Sequence, residues 1–172
     1  MIFHKIKDDG KKLTLEYSEI DPHNHRQRIH KAIRGSDDRP RPEFNEAMAK
    51  FRREVCRILS LSQLHQKRMT VTGISVSLDS QERRHLTITA QVNLPDLGSP
   101  WVLNTPSLRE PDPDDEQDGQ YSSSTETLLD NLEAEAIKYL EGERQQADLW
   151  PSKTTEESTP RENVEVGFAI VR

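Results

Sequence analysis

The sequence predicts an α+β domain: an antiparallel sheet of five or six strands with two helices packed on one face. Three observations predict it. Several segments alternate apolar and polar residues and come in hairpin-like pairs. Two others carry apolar residues at three- and four-residue steps, and the patterns follow one another as β-β-β-α-β-β-(β)-α. An antiparallel sheet with both helices on one face buries both apolar helix stripes at once.

Residues 2–6 and 11–20 flank Asp8-Asp9-Gly10, and Asp-Gly between two alternating runs is a hairpin signal. In the second run Leu13, Leu15 and Tyr17 share one face, with Thr14, Glu16 and Ser18 on the other. Asp21-Pro22-His23-Asn24 has turn chemistry. Gln27, Ile29, Lys31 and Ile33 then alternate with basic residues, which predicts a third strand, a short helix being the alternative.

Residues 35–42 form a loop that ends in a helix start. Pro42 suits the first turn, where its missing N–H has no partner in any case, and Glu43 suits the positive end of the helix dipole. Phe44, Ala47, Met48, Phe51, Val55, Ile58 and Leu59 form the stripe of this helix, with Lys50, Arg52, Arg53 and Arg57 off it. Residues 69–78 and 83–94 form a central hairpin rich in Thr, Val and Ile. Val71, Gly73, Ser75 and Ser77 are expected on one face of its first strand, and Thr72, Ile74, Val76 and Leu78 on the other. Trp101 to Asn104 make a short further strand.

Residues 110–124, with two prolines, a glycine and a serine run, read as a flexible acidic loop. Leu128, Leu129, Leu132, Ala136, Ile137 and Leu140 form the stripe of the second helix, which Ser124 or Thr125 would cap. Pro151 closes it off. The domain is thus expected to span residues 1–150. A flexible tail over 151–172 carries one alternating segment, 164–171, which reads as an edge strand or a partner-dependent segment.

The apolar share is 32% against 31% charged, so a core is expected with much loop and tail around it. No apolar run approaches a membrane span and the start, MIFHKIKDDGKK, has no signal-peptide core, so no membrane partner is expected. The single cysteine, Cys56, excludes an internal disulfide and fits a reducing cytoplasm. The net charge of −6 is asymmetric: 19 Lys/Arg against 13 Asp/Glu up to Arg109, then 5 against 17. A basic body with an acidic remainder suits either nucleic-acid contact or internal charge complementarity.

Catalytic and metal templates are poorly matched. His23 and His25 lack further ligands at metal spacing and read as a polar turn. Asp114, Glu116, Asp118 and Gly119 copy the start of a calcium loop, but position 12 is Thr125, and Pro111 and Pro113 break the incoming helix. Cys56 has the spacing of a core residue despite Arg52, Arg53 and Arg57 nearby. No phosphate loop, HExxH or GxSxG occurs, so neither an enzyme nor a cofactor is expected. For nucleic acid the candidates are Arg34, Arg39, Arg41, Arg52, Arg53, Arg83 and Arg84, which could contact DNA phosphates. The basic strands lack aromatic residues for base stacking.

Gln146-Ala147-Asp148-Leu149-Trp150 resembles the bacterial sliding-clamp-binding peptide, whose pattern is Gln, any residue, Ser or Asp, Leu, then Phe. The resemblance implies that Gln146 hydrogen-bonds a small polar subsite while Leu149 and Trp150 fill a hydrophobic pocket of the clamp. Trp150 stands where the pattern has Phe. Asp148 occupies the Ser-or-Asp position. An aromatic anchor of this kind can dominate a small interface.

A wider resemblance covers roughly residues 1–150. Pro40-x-Pro42-x-Phe44, the run MTVTGISVS, Leu103-Asn104-Thr105-Pro106 and Glu135-Ala136-x-x-Tyr139-x-x-Gly142-x-Arg144-x-Gln146 are similar to small bacteriophage and prophage proteins that have no assigned activity. The resemblance implies a host-cytoplasmic role in replication, recombination or host takeover.

Overall fold

A computed structural model describes residues 1–94, 98–112 and 119–145. The elements run β1 (Ile2–Asp8), β2 (Leu13–Ile20), β3 (Arg28–Ser36), α1 (Pro42–Ile58), α2 (Gln63–Lys67), β4 (Met69–Leu78), β5 (Arg84–Val92), β6 (Trp101–Asn104), β7 (Leu108–Arg109) and α3 (Ser123–Leu140). The fold is α+β, as the sequence predicts. All seven strands join one sheet in the order β3-β2-β1-β4-β5-β6, with β7 also on β5, and every pairing is antiparallel. Two elements go beyond the sequence reading. They are the one-turn helix α2 and the two-residue strand β7, both too short to show a period.

Three bulges set which residues face the core. In β4, Val71 pairs with Ala90 and Gly73 with Thr89, so Thr72 is inserted. The insertion moves the apolar set from odd to even positions: Met69, Val71, Ile74 and Val76 are all buried on one face. The unbroken alternation expected for this strand is therefore corrected at Thr72. His4 does the same in β1, letting Phe3 and Ile6 both reach the core although they stand three apart. The third bulge lies in β3 beside Gly35, whose φ of +64° favours glycine.

Helix α1 begins at Pro42 and buries Phe44, Ala47, Met48, Phe51 and Val55. It packs on β4, β5 and α3. Helix α3 begins two residues earlier than expected. Ser122 is its N-cap, its hydroxyl accepting from Thr125 N at 3.3 Å. Thr125 cannot be the cap because it is fully buried one turn in, where its hydroxyl donates to Glu54 Oε2 at 2.8 Å. Glu54 is itself buried, and Arg57 clamps the same oxygen through Nε at 3.0 Å and Nη2 at 2.9 Å. A carboxylate at the first turn of α3 also complements the helix dipole. This three-residue contact joins the two helices where their apolar stripes meet.

On the opposite face, paired rows such as Lys5–Ser75–Thr87 and Lys7–Gly73–Thr89 show polar residues, and no described helix covers them. No helix among the described residues is long and apolar enough to cross a membrane.

Candidate functional site

The last described residues, 141–145, form a built corner with the loop that feeds α1. The end of α3 carries Tyr139, 1% exposed, whose hydroxyl donates to the Asp38 carbonyl oxygen at 3.1 Å and lies 2.8 Å from Ser36 Oγ. Gly142, at φ +97°, turns the chain out of the helix. Arg144 then bridges back to Pro40, its guanidinium pairing with the Asp38 carboxylate and lying 4.9 Å from the centre of the Tyr139 ring. Glu143 pairs with Arg41, and Gln145 N donates to Arg39 O at 3.0 Å. Residues 141–145 are nonetheless exposed. Gln146, Asp148, Leu149 and Trp150 lie outside the described residues, as do 151–172 with the segment 164–171.

The seven candidate arginines fall on different elements and in different pairings. Arg34 stands on β3 with its Nε 3.4 Å from Glu16 Oε1. Arg39 and Arg41 belong to the corner just described, Arg41 holding Glu43 at 3.2 Å as well as Glu143. Arg52 and Arg53 are on α1, the first half-buried and the second exposed. Arg83 pairs with Asp79 at 2.9 Å and Asp112 at 3.7 Å. Arg84 sits among Glu126 at 3.3 Å, Asp130 at 3.5 Å, Glu110 at 3.8 Å and Glu133 at 4.0 Å. Arg83 and Arg84 therefore bind the protein's own carboxylates.

That second cluster anchors both ends of the acidic segment. Glu110 Oε2 accepts from Arg84 N at 2.9 Å, and Tyr121 is buried beside the guanidinium. Burial pushes the Tyr121 phenol up to about 12, with Arg84 pulling the other way. Burial likewise raises the Glu133 carboxyl above its ordinary value, again against the pull of Arg84. Asp114, Glu116 and Asp118 lie outside the described residues.

The remaining candidates fall as follows. His23 and His25 are exposed in the β2–β3 turn, where Asp21 Oδ1 accepts from His23 N at 2.8 Å. Cys56 faces the core, and burial pushes its thiol up, away from nucleophile chemistry. Among the described residues no group of three or more His, Cys, Asp or Glu is placed to hold a metal.

A groove of about 910 Å³ lies between α1, α2 and the start of α3. Lys50, Arg53 and Arg57 line it from one side and Ser124 and Thr127 from the other. Their helical spacing was visible, since residues three and four apart share a face. That α3 would lie opposite was not. Comparison of the chain with protein-family models, with curated proteins and with solved structures returns no match.

Proposed function

We propose that this is a bacteriophage or prophage accessory protein of the host cytoplasm that acts by protein–protein interaction. It docks on the host's replication sliding clamp through Gln146, Asp148, Leu149 and Trp150. The observation that supports the reading is how residues 144 and 145 are held. Arg144 and Gln145 are tied to Asp38, Arg39 and Pro40, yet both are exposed, so the residue next to Gln146 is held at the surface in a fixed place. A short docking peptide gains from such an anchor, because fewer residues must be ordered on binding. The residues that the clamp resemblance requires begin at the next position.

Gel filtration of the protein with purified host clamp tests this. Co-elution is expected for the intact chain and for Lys50→Gln/Arg53→Gln, but not for Leu149→Ala/Trp150→Ala. Separate elution of the intact protein would remove the proposal.

A further inference from the structure

The geometry points to a second interaction surface: the α1–α3 groove binds the phosphodiester backbone of double-stranded nucleic acid. Lys50, Arg53 and Arg57 stand at i, i+3 and i+7 on α1 and all line the groove, a row about 10 Å long at 1.5 Å per residue. Arg57 is held by the buried Glu54 carboxylate, which also lines the groove and takes up its charge, so Lys50 and Arg53 are the cations left for phosphate. Lys50 and Arg53 have no acidic partner among the described residues, unlike Arg83 and Arg84. Facing the row, α3 brings the Ser124 hydroxyl, which lies 2.8 Å from Ser122 Oγ, while the Thr127 hydroxyl donates to the Ser123 carbonyl oxygen at 3.1 Å. Lysine, arginine and hydroxyl side chains together are the usual donors to phosphate oxygens.

The shape and lining choose among anionic partners. The groove lacks an aromatic lining residue, so splayed bases would have nothing to stack on. Leu128 and Ala49 are its only apolar lining residues, which leaves a peptide no anchor pocket. A regular row of backbone phosphates asks for neither. Contact through two cations carries no base readout, so binding is independent of sequence.

The test is fluorescence anisotropy of a labelled duplex of about 20 base pairs with the full chain, from about 50 to 200 mM salt. Two phosphate contacts, from Lys50 and Arg53, give a log–log salt slope of about −1.8, a weakening of about 12-fold over that range. Lys50→Gln/Arg53→Gln should remove most of that slope. Lys5→Gln/Lys7→Gln removes the same charge from the uncovered sheet face and should leave affinity within about twofold if contact is confined to the groove. Thermal melts confirm that both variants are folded.

Absence of binding at the lowest salt, a salt-independent signal, or equal loss in both double variants would overturn the assignment. So would tighter binding of a single strand, or of poly-glutamate of matched charge, than of the duplex. The clamp-deficient Leu149→Ala/Trp150→Ala chain should bind the duplex as the intact protein does. Failure of the clamp interaction therefore leaves this result separately readable.

Discussion

The Tyr139 hydroxyl donates to the carbonyl oxygen of Asp38 at 3.1 Å, joining the last turn of α3 to the loop that feeds α1. The same aspartate holds Arg144 with its carboxylate, and the Tyr139 ring lies under that guanidinium. One buried phenol thus positions both the helix end and the segment leaving it. Tyr139→Phe should retain the packing and lose the hydrogen bond, costing about 1 kcal/mol and lowering the melting temperature by a few degrees. A urea titration of both proteins measures it. An unchanged midpoint would show that the hydroxyl contributes nothing.

Glu54 and Thr125 should be energetically coupled. Thr125→Val removes a 2.8 Å hydrogen bond to a buried carboxylate, and bonds to charged groups contribute about 1.5 to 3 kcal/mol. In a double-mutant cycle with Glu54→Gln, a coupling above about 0.5 kcal/mol is expected. Additive losses would mean that the two residues act independently.

Removing Arg84 would leave Glu110, Glu126, Asp130 and Glu133 facing one another without their cation. Arg84→Gln should therefore cost about 3 kcal/mol at neutral pH, the scale of a broken, partly buried ion pair. Glu133 gives the sign of the pH effect. Its carboxyl already titrates above the ordinary value through burial, and loss of the guanidinium raises it further. A carboxylate so raised binds a proton more readily folded than unfolded, so the variant should regain stability as pH falls from 7 towards 5. Melting temperatures at both pH values test this, and an equal deficit at each would contradict it.

Asp79 predicts the opposite trend at lower pH. Its carboxyl is held down to about 2, chiefly by the Arg83 backbone N–H and then by the Gln81 N–H and the side chains of Arg83 and His85. A depressed carboxylate contributes stability above its unfolded value, and that contribution is lost as pH falls from about 4 to about 2. Asp79→Asn should flatten the acid limb of the stability profile over that window. An unchanged acid limb would show that this turn does not titrate with unfolding.

Much of the fold was legible because its signals are local. The Leu13–Leu15–Tyr17 alternation and the Phe44-to-Val55 stripe each lie within one element and match the buried residues. What could not be read depends on partners distant in sequence. The bulge at Thr72 shows only once β5 is paired beside β4. Ser122 displaces Thr125 as the cap because Glu54, on another helix, takes the Thr125 hydroxyl. The partners of Arg83 and Arg84 are hidden for the same reason. Charge runs do not reveal that Arg84 will meet carboxylates on α3. Residues 146–150 are legible only as a string that resembles a clamp-binding peptide, while the corner before them rests on contacts such as Tyr139 with Asp38.

The most direct measurement is a calorimetric titration of the full chain into purified host clamp. Saturable heat is expected from the intact protein. Truncating a hot-spot anchor costs about 2 kcal/mol or more, so Leu149→Ala/Trp150→Ala should bind at least about 30-fold more weakly. No heat from the intact chain, or equal affinity in the double variant, would contradict docking through residues 146–150.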